Sequence, residues 1–319
     1  MAYSRWLFAI RYTPFAISNL MRITIIGVGA MACLLSAKLA PHAEIKMLGS
    51  WRAGVDAIRE QGIVIESANG AENVRVFASD DPDTIGECDL AIIARKAWQT
   101  QAAAEQAARI LAPNGLVLTL QNGLGNLETI ARIVGAHRAV LGVTTQGATL
   151  IRPGCIRYAG GGATHLGVTA ETRARLETTA ELFTRAGFET HLANDVREIV
   201  WGKLAISCGI NALTALLRVP NGELLARADA AELMVRAARE CALVAQAQGI
   251  KLSVDETVTR VRQVARATAV NQSSMLQDVL RNAPTEIEAI NGAVAREGAR
   301  LGVATPTNEM LWRLVRAFR

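Results

Sequence analysis

From Arg22 onward, short apolar runs rich in β-branched residues alternate with longer stretches whose apolar positions recur at helical spacing. RITII (22–26) and EIKML (44–48) read as strands, with an apolar helical stretch to Leu39 between them. A further helical segment is predicted over about 52–61, followed by short strands around IVIE (63–66) and VRVFA (74–78). DLAIIA (89–94) reads as a buried strand, AWQTQAAAEQAARIL (97–111) as a helix and LVLTL (116–120) as another strand. AVLGVTTQGATL (139–150) and the pieces near Ile156 and His165 continue the strand signal. Short apolar runs separated by helical patterns of about 10–15 residues predict a parallel sheet covered on both faces, a doubly wound α/β fold.

Past Asn194 the strand signals stop. Residues 195–219, 228–249, 253–269 and 285–302 all read as helices. The switch near residue 192 predicts an α/β domain over 21–191 and an all-α domain over 192–319. Residues 1–20 are read as an extension upstream of the working fold. Arg5, Arg11 and Pro14 interrupt its apolar stretches, so neither a membrane span nor a signal peptide is expected.

Composition narrows the function. Half of the 319 residues are apolar, a fifth are charged, and the net charge of +5 is scattered rather than gathered into basic runs. With aromatics at 4 %, nothing resembles a nucleic-acid-binding stripe. Cys33, Cys88, Cys155, Cys208 and Cys241 are far apart in apolar surroundings, as expected for reduced, buried thiols of a cytoplasmic protein. No Cys/His spacing suggests a metal.

Candidate chemistry starts at Gly27-Val28-Gly29-Ala30-Met31-Ala32, which follows a strand and opens a helix. That is the context of a dinucleotide fingerprint. Gly27 permits the tight turn, Gly29 lets the backbone approach a pyrophosphate, and the small Ala32 suffices for helix–strand packing. The pyrophosphate would lie on the helix N-terminus. The second strand ends in Gly49-Ser50-Trp51-Arg52 with no acid to hold a ribose 2′-hydroxyl. Ser50 and Arg52 would welcome a 2′-phosphate, so NADP(H) is the expected cofactor.

In WGKLAISCGINALTALLRVPNGE (201–223), Lys203, Ser207 and Asn211 fall at i, i+4 and i+8 on an otherwise apolar helix. A lysine there must be paired or line a wet cavity. Beside a nicotinamide, its ammonium can stabilise and protonate the oxygen of a carbonyl that receives hydride.

These residues resemble the ketopantoate reductase (2-dehydropantoate 2-reductase) family from about Met21 to the C-terminus. The motifs that carry the likeness are GVGAMA (27–32), RKAWQ (95–99), QNGLGN (121–126), GKLAISCGINALTALLRVPNGEL (202–224), NQSSMLQD (271–278) and TEIEAING (285–292). The resemblance implies a Rossmann domain, a helical domain and an active site in the cleft between them. It implies NADPH-dependent reduction of ketopantoate on the route to pantothenate and coenzyme A, with Lys203 as general acid. Glu286 would bind substrate and help position the lysine. Asn211, Asn271 and Ser274 would line the substrate pocket with Asn221 nearby, Asn122 would sit where substrate meets nicotinamide, and Lys96 would contribute to cofactor binding.

Two departures stand out: Ser207 where the pattern has asparagine, and GSWRAG where an arginine often follows the second strand directly. On residues alone, Glu286 also fits the first turn of a helix starting near Pro284, with Thr285 and Glu288 as a capping box. Asn271 and Ser274 equally fit an N-cap cluster. Reduction of another small 2-oxo acid and a non-catalytic NADP-binding sensor are the competing functions. Expected partners are a small 2-oxo acid, with neither nucleic acid nor membrane; a homodimer is left open.

Overall fold

The computed structural model describes residues 20–67 and 70–318, so the expectation for the first 19 residues lies outside it. Strands β1 (Arg22–Ile26), β2 (Glu44–Leu48), β3 (Ile63–Ser67), β4 (Gly70–Val74) and β5 (Phe77–Ser79) come first. They are followed by β6 (Cys88–Ile93), β7 (Leu111–Thr119), β8 (Ala139–Thr144), β9 (Ala148–Arg152) and β10 (Cys155–Tyr158). β11 (Thr164–Gly167) and β12 (Thr190–Ala193) complete the strands. Helices α1 (Ala30–Leu39), α2 (Arg52–Gln61), α3 (Thr100–Ile110), α4 (Asn126–Val134) and α5 (Arg173–Arg185) lie among them.

The main sheet has the order β12-β11-β8-β7-β6-β1-β2-β5, and every pairing is parallel except β8 with β11. Side chains alternate across a strand, and both faces of this sheet are filled. Ile23, Ile25, Met47, Ile92 and Leu118 pack on one face with Leu34 and Leu35 of α1 and Phe183 of α5. Ile26, Leu48, Ile93 and Val117 pack on the other with alanines of α3 and Ile130 of α4. The doubly wound α/β fold is therefore the observed one. The chain reverses direction across the sheet between β1 and β6, the switch point at which ligands bind in such sheets.

Two strand-like runs are split in a way the periodicity did not show. Residues 74–78 divide between β4 and β5, and 139–150 between β8 and β9. In each case the second member belongs to a different sheet, because β3, β4, β9 and β10 form a small four-stranded sheet in the order β4-β3-β10-β9. That sheet packs over α1.

The C-terminal part is helical: α6 (Arg197–Leu217), α7 (Glu223–Ala226), α8 (Ala228–Ala247), α9 (Val254–Ala267), α10 (Ser274–Leu280), α11 (Asn291–Leu301) and α12 (Pro306–Ala317). Among the described residues α6 alone is long and apolar enough to cross a membrane, but more than half of its apolar stretch is buried inside the protein. It packs against α8, α9, α10 and α12. All five cysteines are buried and free.

One helix is shorter than its periodicity predicts. Residues 286–290 form turns, and α11 begins only at Asn291. The Ala289 carbonyl is diverted to the Leu124 N–H, and Ile290 leaves helical geometry at φ −103°, ψ −98°. Glu286 is therefore not in a first helical turn, and Thr285 with Glu288 makes no capping box; Glu288 instead pairs with Arg296 and Arg316. The cap of α10 is neither Asn271 nor Ser274 but Ser273, whose Oγ accepts the Leu276 N–H at 3.1 Å.

Candidate active site

The C-terminal ends of β1, β2, β6, β7 and β8 face α10 and the start of α6 across a cavity of about 380 Å³. Gly27, Val28, Gly29, Ala30 and Met31 form one wall, while Ala32 lies fully buried beneath them. Gly27 is required by the fold itself: its φ is +143°, and a Cβ would stand 2.6 Å from the Ala94 carbonyl oxygen. Gly29 differs, because a Cβ there would meet nothing within 4 Å and would project into open space. It is the N-cap of α1 and no side chain satisfies the helix's first N–H groups. Free N–H donors, the positive end of the helix dipole and an empty cradle suit a diphosphate. The residues present therefore fit a dinucleotide.

Ser50 joins this wall, but Arg52 does not. Arg52 is drawn outward into ion pairs with Asp56 (3.5 Å) and Asp80 (3.7 Å), and its side chain is 77 % exposed. Arg95, which the sequence reading had not singled out, lines the cavity instead.

The far end of the cavity holds the charged groups. Lys203, in the second turn of α6, is partly buried, and its Nζ donates to the Thr144 carbonyl at 2.7 Å. Burial lowers its pKa to about 8, against a smaller opposing pull from the Glu286 carboxylate. Glu286 is buried, and its Oε1 accepts the Ala97 N–H at 3.0 Å. Lys96 Nζ stands 3.7 Å from Glu286 Oε2 and donates to Asp278 Oδ2 at 2.6 Å. Burial pushes the Asp278 carboxyl up even with Lys96 beside it. One carboxylate thus sits between two lysines from different parts of the chain.

Asn122 and Lys203 border both this cavity and a small adjoining recess of about 20 Å³, which Ser207 also lines. Ser274 borders the main cavity, with Gln277 and Asp278 of α10 and its C-cap residue Arg281 on the same face. The spacing i, i+3, i+4, i+7 was a readable signal for that face. Asn122 is held by its carbonyl, which accepts the Asn126 side-chain N–H at 3.0 Å.

Three expected residues are not brought to either cavity. Asn211 lies two helical turns beyond Lys203, about 12 Å along the axis. Asn221 is turned inward, its Nδ2 donating to Thr268 Oγ1 at 2.9 Å and its N–H to the Asn271 carbonyl at 3.0 Å. Asn271 is exposed and serves that backbone link. No group of acidic, histidine or cysteine side chains suited to a metal exists among the described residues.

Residues 23–171 match the family described as ketopantoate reductase PanE/ApbA, and residues 195–319 match its C-terminal counterpart. A 2-dehydropantoate 2-reductase of Halobacterium salinarum is 36 % identical over 299 residues, spanning 93 % of this chain and 98 % of that protein. A PanE/ApbA family ketopantoate reductase from Ralstonia eutropha JMP134 superposes with a TM-score of 0.85 at 32 % identity, covering 93 % and 98 % of the two chains. A D-mandelate dehydrogenase solved with NADH and anilino(oxo)acetate superposes at 0.86 with 26 % identity and the same coverage. With both halves matched and the cavity lying where they meet, the chain belongs to the ketopantoate reductase family of oxidoreductases.

Proposed function

We propose that the protein reduces 2-dehydropantoate to pantoate with NADPH, serving pantothenate and coenzyme A synthesis, and that Lys203 is the general acid. The carrying observation is the Lys203 amine. It is desolvated to a pKa of about 8, yet it opens into the cavity that Gly27 and Gly29 border.

The division of labour follows the two parts of the chain, which we take as a dinucleotide-binding domain (21–191) and a helical substrate domain (192–319). Gly27 to Met31 would cradle the diphosphate, with Ser50 toward the adenosine end and Asn122 near the nicotinamide. When bound, the reduced nicotinamide supplies hydride to C2 of the oxo acid. Lys203 Nζ, held by the Thr144 carbonyl, faces the C2 oxygen, lends it positive charge and gives it a proton. Glu286 binds the substrate and keeps the amine charged, Coulombic attraction opposing the desolvation. Ser274 and Ser207 offer hydroxyls to the substrate from the two flanking helices.

Lys96 sits on Asp278 and Glu286 in this structure, so its contribution to the cofactor would run through the loop it caps rather than through a free ammonium. NADPH is favoured by the absence of an acid at the end of β2, where Leu48, Gly49 and Ser50 stand. We place the enzyme in the cytoplasm, where its five free thiols stay reduced.

A second reading, oxidation or reduction of a different 2-hydroxy or 2-oxo acid with NADH, is favoured by the likeness to the mandelate enzyme and by the outward turn of Arg52. Consumption of NADPH and of NADH with ketopantoate and with benzoylformate separates the two. Faster turnover of benzoylformate, or equal use of NADH, overturns the first.

A further inference from the structure

The cavity wall holds an arginine with no acid. Arg95 lies two residues past the end of β6, and among the described residues no carboxylate pairs with it. Among the described residues its side chain makes one hydrogen bond, from Nη2 to the Leu48 carbonyl at 3.3 Å. Leu48 ends β2, so the guanidinium is anchored two residues before Ser50. Two other arginines close to this end of the sheet are neutralised, Arg52 and Arg59 sharing Asp56 and Asp80. Burial alone holds the Arg95 guanidinium below its usual value, with no anion to offset it. A desolvated cation that lacks a partner costs free energy unless an anion arrives.

In this fold the adenosine ribose of a dinucleotide lies beside the end of the second strand, where its 2′ substituent is read. From the Arg95 guanidinium at Leu48, the hydroxyl of Ser50 and the missing acid, we infer that Arg95 is the residue that selects the cofactor's 2′-phosphate, in place of the expected Arg52. A planar guanidinium that donates one N–H to a carbonyl keeps other N–H groups free for phosphate oxygens. The inference rests on the NADPH reading above and names the side chain responsible for it.

Equilibrium binding of adenosine 2′,5′-bisphosphate and of 5′-AMP, measured by calorimetry, tests it without any turnover. The wild-type protein should bind the bisphosphate at least about tenfold more tightly, as a charge-assisted contact requires. Arg95→Gln, which retains a donor for Leu48, and Arg95→Met should both erase most of that preference while leaving 5′-AMP within about twofold. Arg52→Ala should leave the preference within about twofold. If the wild type shows no preference, the NADPH reading fails. If the wild type prefers the bisphosphate and both Arg95 variants keep that preference, the assignment of Arg95 is overturned while NADPH stands. An equal loss of both ligands in both variants also overturns it, since the side chain would then serve the 5′-phosphate or the base.

Discussion

Replacing Lys203 by alanine removes the proposed proton donor and the positive charge facing the substrate oxygen. General acid catalysis is worth about 10²–10⁴-fold, and a fixed charge at a developing oxyanion about 10²–10³-fold. Both are supplied by the same ammonium, so they do not add freely. The expected loss in kcat is about 10³–10⁴-fold, or roughly 4–5.5 kcal/mol of barrier. The structure adds a pH signature. At a pKa of about 8, most of the amine is charged at neutral pH, and wild-type kcat/KM should fall as pH rises through about 8. Stability should move the other way. Desolvation lowers this pKa from 10.5, so the folded state disfavours the charged form. Removing the amine should leave the melting temperature at pH 7 equal or higher, and any gain should fade as pH rises from about 8 toward 10.5. Loss of the reduced cofactor's absorbance measures turnover, and quenching of protein fluorescence by NADPH measures affinity, expected within about twofold of wild type. More than a tenth of wild-type turnover in the variant, or a wild-type profile flat from pH 7 to 10, would refute the assignment.

Four further substitutions probe neighbouring parts of the molecule. Glu286→Gln keeps an acceptor for the Ala97 N–H but removes the charge between the two lysines, and should raise KM for the oxo acid about tenfold or more with a smaller fall in kcat; unchanged steady-state constants would take Glu286 out of the site. Gly27→Ala and Gly29→Ala should separate folding from binding. The first forces a Cβ against the Ala94 carbonyl and lowers the melting temperature; the second leaves it unchanged but weakens NADPH binding in a fluorescence titration. Glu240→Ala strips buried acceptors from the N–H groups of Thr307 and Asn308 and from the Asn308 side chain, and should destabilise by about 3 kcal/mol in urea denaturation with kcat retained in the surviving fold.

The parallel sheet, the glycine turn and the apolar helix bearing Lys203 were legible because each rests on local order: alternation, a turn before a helix, or one polar stripe on a buried cylinder. What escaped depends on contacts distant in sequence. Nothing in 74–78 or 139–150 marks the step from one sheet to another, because the residues on both sides of each break, Val74 and Phe77 or Val143 and Thr149, are strand formers. Arg52 looked available because Asp80 is 28 positions away, and only the pairing of β2 with β5 brings that acid within 3.7 Å. Arg95 looked like any loop arginine; the pairing of β6 with β1, and β1 with β2, puts it beside Leu48. Asn211 shares a stripe with Lys203, but a shared face says nothing about how far along the axis the cavity extends.

The turns that replaced the predicted helix at 286–290 explain how one carboxylate can serve both halves of the molecule. Here the Leu124 N–H donates to the Ala289 carbonyl at 2.9 Å, and a Cβ on Gly123 would come within 2.4 Å of that same oxygen. On the other side Ala97 donates to Glu286, Lys96 to Asp278, and Arg281 to the Leu150 carbonyl at 2.6 Å. A regular helix over these residues would have spent the Ala289 carbonyl within itself, leaving no acceptor for the loop after β7. The contacts that join the sheet to the helical part are therefore the ones that hold Glu286 beside Lys96 and within the electrostatic reach of Lys203. Movement of one part against the other would change the field at Lys203 directly, so the proposed proton donation depends on the same few bonds.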